Sequence, residues 1–170
     1  MNESEPTEPT PADLRRVFGR FPTGVAVICA RDTDGTEGGM TANAICSLSL
    51  DPLLVLVCFQ RDARTLTLVE RAGRFSVSIL EQGSEDLALR FASKDVAEAE
   101  KITGVPHRDE AGVPVLDAAT AWAVCTVTET IPGGDHVIAI GSVDALGDRE
   151  GAPLVWHRGA FGALAPDTAV

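Results

Sequence analysis

Residues 40–50 read M-T-A-N-A-I-C-S-L-S-L, from Met40 to Leu50. Side chains alternate across a β-strand. On that period the even positions Met40, Ala42, Ala44, Cys46, Leu48 and Leu50 are all apolar. The odd positions Thr41, Asn43, Ser47 and Ser49 are polar, with Ile45 the exception. The polar edge carries no Lys, Arg, Asp or Glu, although 23% of the chain is charged. A row of short hydroxyls and one amide suits three settings. It can line a ligand, because such groups hydrogen-bond a phosphate or the edge of a heterocycle without bulk. It can be a plain half-buried strand, where Ser and Thr fit the pleat. It can also be an interface.

Working outward, Gly38–Leu50 is expected as one strand, preceded by the buried run V-A-V-I-C-A over Val25–Ala30 and followed by L-L-V-L-V-C-F over Leu53–Phe59. Continuous β-branched runs of this length mark strands covered on both faces. A helix precedes them: Thr10 caps, Pro11 suits the first turn, Asp13 complements its dipole, and Leu14, Val17, Phe18 and Phe21 form an apolar stripe. Residues 62–72 read as a second helix closed by Gly73, and Arg74–Leu80 as a strand with Phe75, Val77 and Ile79 on one side and Ser76 and Ser78 on the other. Residues 84–102 read as helical or irregular with solvated charged faces at Glu85–Asp86 and Glu98–Lys101, and His107–Gly112 as a polar loop. Ala121–Ile131 and His136–Leu146 form a long hairpin around the turn 132–135, and Leu154–His157 a short last strand. Six or seven strands with few helices favour a closed antiparallel barrel over a doubly wound sheet. No G-x-G-x-x-G, Walker loop or G-x-S-x-G elbow is present.

The 170 residues suit a single domain, expected over 12–164 between an acidic, Pro-rich leader at 1–11 that reads as disordered and a tail at 165–170. A net charge of −11 argues against nucleic acid and against an anionic membrane surface. An anionic small ligand would need local donors to hold it. The four cysteines, Cys29, Cys46, Cys58 and Cys125, sit in apolar stretches without C-x-x-C spacing and read as buried free thiols of a cytoplasmic protein. His107, His136 and His157 share no metal-ligand spacing, so no metal is expected.

In order, F-P-T-G-V (21–25), G-M-T-A-N-A (39–44), S-L-S-L-D-P (47–52), L-V-L-V-C (54–58), A-G-R-F-S-V-S-I-L (72–80), G-G-D-H (133–136), I-G-S-V (140–143) and L-V-W-H-R-G-A-F-G-A-L (154–164) span nearly the whole chain. Their order and spacing resemble the flavin reductase-like family, which supplies reduced flavin to two-component monooxygenases. The resemblance implies an FMN-binding split barrel, a six- to seven-stranded antiparallel Greek-key-type barrel with flanking helices. It implies a homodimer with flavin near the seam, and hydride transfer from NADH or NADPH to FAD or FMN. By that resemblance Thr41, Ala42, Asn43, Ala44 and Ile45 line the flavin, and Ser47 and Leu48 continue toward its phosphate tail. Asp62, Ala63 and Arg64 match the phosphate loop, with an acid at Asp62 where a neutral or basic residue suits better and Arg64 in a position to compensate. Thr23 and Gly24 match the turn over the cofactor. His136 matches the histidine at the nicotinamide dock, beside Gly159, Ala160, Phe161 and Gly162. Family members often carry Tyr near Phe161, and this chain has none. Trp122 reads as core. Two rivals remain open on the residues: a flavin- or haem-binding module without turnover, and a flavin-retaining oxidase related to pyridoxamine phosphate oxidases.

Overall fold

The computed structural model describes residues 8–165. Most of the expected leader and all but the first residue of the expected tail lie outside that range. Helix α1 (Pro11–Phe18) opens with a capping box in which Thr10 and Asp13 satisfy each other's backbone N–H groups. The chain then forms β1 (Thr23–Gly24), β2 (Ala26–Arg31), β3 (Glu37–Ala42), β4 (Ile45–Leu50) and β5 (Leu53–Gln60). Helix α2 (Arg64–Ala72) leads into β6 (Arg74–Leu80), and helices α3 (Glu85–Ala92) and α4 (Glu98–Ile102) follow. The remainder is strand: β7 (His107–Glu110), β8 (Val113–Leu116), β9 (Ala119–Gly133), β10 (His136–Asp148), β11 (Val155–His157) and β12 (Ala160–Gly162).

Seven strands build the main antiparallel sheet in the order β3-β2-β6-β9-β10-β5-β4. Its two edges, β3 and β4, are consecutive in the chain and joined by Asn43 and Ala44 alone. Three Cα steps reach at most about 11 Å, so the sheet must curl until its edges nearly meet. The result is a split barrel. The expected single strand over 38–50 is therefore two strands. A second irregularity between Ser47 and Ser49 breaks the even–odd alternation again.

The curl explains the composition of the strands. Ala26, Ile28 and Ala30 of β2 face the barrel interior with Val57, Phe59, Phe75, Val77 and Cys125. Val27 and Cys29, on its other face, pack with Leu80, Phe91, Ile102 and Leu116 under α3 and α4. A strand covered twice has no polar position to alternate with. The long β9–β10 hairpin turns through Gly134, at φ 68°, the first central position where a type II′ turn requires glycine.

Four sequence expectations change. Residues 107–112 are not a loop: β7 pairs with β8, which was unexpected, and this hairpin lies over β6. In consequence Ser76 and Ser78 are fully buried; Ser76 Oγ donates to the Pro114 carbonyl and Ser78 Oγ accepts from Leu116 N at 3.1 Å. The charged stretch at 98–101 is not solvated, as described below. Cys29 and Cys125 are buried, and desolvation pushes both thiols up, Cys125 to about 12. Cys46 is exposed, because the even side of edge strand β4 faces outward. The apolar stripe of α1 is exposed too, with Phe21 72% accessible.

Replacing Ser78 with Ala leaves the buried Leu116 N–H without its acceptor. The expected loss is about 1–3 kcal/mol, read as a lower urea midpoint with an unchanged slope, together with faster amide exchange across 113–116. An unchanged midpoint would mean that this hydroxyl does not fasten the β7–β8 hairpin.

Candidate functional site

Where the barrel splits, a cavity of about 650 Å³ opens. Its wall is Met40, Thr41, Ala42, Asn43 and Ala44, with Cys58 and Phe91 adding apolar surface. Asp62, Ala63 and Arg64 form one end, at the start of α2, and His136 stands on the rim at the start of β10. Eight of the residues singled out by sequence thus meet at one place.

The others are distributed around it. Thr23 lies behind the wall, its Oγ1 accepting from Asn43 Nδ2 at 3.3 Å, with Gly24 beside it in β1. Phe161 lines a second cavity of about 240 Å³ that shares Thr41, Ala42 and Asn43 with the first. Its ring meets Trp156 edge-on at 5.0 Å. Gly159, Ala160 and Gly162 form the turn and strand that carry it. Ile45 and Ser47 point elsewhere, into an apolar cavity of about 510 Å³ at the open end of the barrel. Leu48 is exposed and lines neither. The break at 43–44 is the reason: beyond it β4 belongs to the opposite edge of the sheet.

The loop 93–97 and α4 supply residues that sequence reasoning missed. Lys101 is only 5% exposed, and its Nζ lies 3.3 Å from Glu98 Oε2. Glu98 also accepts from Thr65 Oγ1 and stands 3.7 Å from Arg64 Nε. This pocketing of a carboxylate depends on Gly38, since a Cβ there would come within 2.4 Å of Glu98 Cγ. Arg64 donates to the carbonyls of Val96 at 2.6 Å and Lys94 at 3.2 Å, so it braces the loop that presents Ser93 and Lys94 to the cavity. Asp62 faces Lys94 Nζ at 4.0 Å. Nothing in the charge pattern of 94–101 separates these groups from a solvated helix face; only the close approach of β3 at Gly38 buries them.

Around the cavity stand three cations, Arg64, Lys94 and Lys101, against two carboxylates, Asp62 and Glu98. Ala63 caps α2 without a side-chain hydrogen bond, leaving first-turn N–H groups beside the cationic end. On the rim, His136 Nδ1 lies 2.7 Å from Asp135 Oδ1. That hydrogen bond, then the charge on His136, holds the Asp135 carboxyl below the usual carboxylate range. The Asp135 carbonyl accepts from Arg61 N at 3.1 Å, which ties the β9–β10 turn to the loop entering α2. An apolar slot with hydroxyl and amide edges, closed at one end by cations and a helix start, fits a flat heterocycle with an anionic tail. A flavin nucleotide has that form.

A model of the flavin reductase like domain matches residues 18–165. The chain belongs to this family. Among curated members it is 38% identical over 159 residues to an NADH-dependent flavin reductase of Rhodococcus, covering 92% of this chain and 88% of that one. It is 40% identical over 153 residues to the actinorhodin polyketide dimerase of Streptomyces coelicolor, covering 89% and 85%. Among solved members, the Streptomyces globisporus NADH:FAD oxidoreductase, in complex with NAD and FAD fragments, superposes with a TM-score of 0.86 at 35% identity over 98% of this chain and 100% of that one. Both the split barrel and the family expected from the sequence are thereby shown.

In this family member, removing the Lys101 ammonium strands a carboxylate that is itself largely buried. Lys101→Met is expected to cost about 3 kcal/mol, and adding Glu98→Gln restores much of the loss, because the amide still accepts from Thr65. Urea unfolding of the two variants checks this. A Lys101→Met midpoint equal to wild type would mean that Glu98 is stabilised without its ammonium partner.

Proposed function

We propose that this chain is a flavin reductase that oxidises NADH or NADPH, reduces FMN or FAD, and releases the reduced flavin to a partner monooxygenase. The observation that carries the reading is the single cavity joining the 41–44 wall, the 62–64 loop and His136. The family and the activities of similar members support the same reading.

With flavin bound, the chemistry supplied is acceptance at N5 of a hydride from C4 of the reduced nicotinamide. The chain's own residues bind and orient. Thr41 to Ala44 give the ring a flat, uncharged wall, with Asn43 held by its bond to Thr23 so that its amide faces the slot's edge. The start of α2 and Lys94 receive the phosphate end, while Arg64 keeps the Lys94 loop in place. His136 and the Phe161 cavity form the nicotinamide side. No nucleophile or acid–base dyad is needed, because the gain comes from holding two flat rings in an attack geometry. Residues 12–164 act as a single domain in this reading.

A homodimer completes the proposal. The outward sides of β4, β5 and β10 place Cys46, Leu56, Cys58, Ile138 and Ile140 on one apolar sheet face. Cys58 belongs both to this face and to the cavity, so a second copy seated there borders the flavin site. Among the described residues no helix is long and apolar enough to cross a membrane. Four free cysteines suit the reducing cytoplasm.

The expected result is flavin-dependent loss of NADH absorbance, with the four pairings of NADH or NADPH with FMN or FAD ranking the substrates. Absence of any flavin-dependent oxidation would leave a binding module. His136→Ala should raise KM for the nicotinamide about tenfold, equivalent to about 1.4 kcal/mol, while fluorescence titration shows flavin affinity retained. Parallel loss of flavin binding would remove His136 from the nicotinamide side. Leu56→Glu should convert a dimer to a monomer in light scattering; a wild-type monomer would refute the proposed seam.

A further inference from the structure

We propose that Glu98 sets how readily this chain gives up its flavin: its carboxylate neutralises the cationic end of the cavity, so that an anionic phosphate is oriented there without being retained. The proposal rests on the reductase reading above, with the flavin phosphate at the end formed by residues 62–65.

Three observations carry it. First, Glu98 engages three donors at once. It accepts from Thr65 Oγ1, and it stands 3.3 Å from Lys101 Nζ and 3.7 Å from Arg64 Nε. All four residues line the cavity. Second, its charge is felt where that of Asp62 is not. The Glu98 side chain is 13% exposed and that of Asp62 80%. Asp62 and Lys94 both stand largely in solvent at 4.0 Å, so water and salt screen that pair. A buried carboxylate acts through a medium of lower dielectric and reaches further. Third, the fold does not use up the Lys101 ammonium. It carries three N–H donors. Among the described residues its acceptor besides Glu98 is the Gly39 carbonyl, at 3.5 Å.

Burying this ion pair costs desolvation, and β3 must keep a glycine at position 38 to admit the Glu98 side chain. A site that only gripped phosphate would gain from the lysine alone. With the carboxylate beside it, the local charge is close to balance. The sign of each perturbation follows. Removing the carboxylate leaves Lys101 and Arg64 unbalanced and tightens phosphate binding. Removing the ammonium leaves Glu98 unbalanced and loosens it. Removing both restores the balance of wild type. Riboflavin, which has the same ring and no phosphate, is indifferent to all three.

The test titrates FMN and riboflavin, by flavin fluorescence, into wild type, Glu98→Gln, Lys101→Met and the double variant, each first shown to be folded by circular dichroism. Glu98→Gln keeps an acceptor for Thr65 and should lower the FMN dissociation constant about tenfold, with FMN release slowed by a similar factor. Lys101→Met should raise that constant about tenfold, and the double variant should lie within about threefold of wild type. Riboflavin should bind all four proteins alike. An FMN constant unchanged or raised in Glu98→Gln, or a riboflavin change equal to the FMN change, would overturn the proposal. Should Glu98→Gln not fold, the other two variants decide: equal FMN constants for Lys101→Met and the double variant would overturn it. Failure of the reductase reading looks different: wild type would consume no NADH with any flavin, whatever the order of the FMN constants.

Discussion

Two residues, Asn43 and Ala44, connect the two outermost strands of a seven-stranded sheet. A link of that length cannot cross a flat sheet, since strands stand about 4.8 Å apart and six intervals separate the edges. The connection therefore forces the curl, and the curl builds the core by bringing β2, β5, β6 and β9 around Phe59 and Phe75. It also creates the site. At the break the chain passes from one edge of the sheet to the other, so the wall of the cavity presents edge main-chain groups and short polar side chains toward the split rather than toward another strand.

The electrostatics follow from the same geometry. A chain of net charge −11 repels nucleotides at long range. At a Debye length of about 8 Å in physiological salt, what a bound anion feels is local, and locally three cations outnumber two carboxylates. Yet each cation already has a partner. Arg64 is occupied by the 94–96 carbonyls, Lys101 by Glu98, and Lys94 by Asp62. Asp62, which looked like a misfit for a phosphate loop, is the group that faces the Lys94 ammonium and offsets its charge. A reductase that must release its product is served by a site of this kind, polar enough to orient a flavin and too well neutralised to retain it.

Much of this was legible in the chain. Continuous β-branched runs located β2 and β5 because both of their faces are buried. The T-A-N-A segment, the 62–64 loop and His136 fall together as expected from the resemblance. What stayed hidden was set by contacts distant in sequence. Alternation treated 38–50 as one strand, with Ile45 and Ser47 on the same edge as Thr41 and Asn43. It has no means of detecting a two-residue break that hands the chain to the opposite edge. Ser76 and Ser78 were legible as the side opposite Phe75 and Val77, but not the β7–β8 hairpin that buries them. Glu98 and Lys101 carried the signature of a surface helix. Their burial depends on the missing side chain at Gly38, twenty-seven positions from Thr65 and sixty from Glu98.

The site also couples its two halves through the backbone. Arg61 precedes the loop 62–64, and its N–H donates to the carbonyl of Asp135, the residue that precedes His136. That bond ties the strand end that leads into α2 to the turn that carries His136. Because β5 and β10 are paired over seven residues from Gln60 and His136 onward, neither half can shift far without straining a ladder that runs the height of the barrel. The arrangement keeps the start of α2 and His136 at a fixed separation on one sheet.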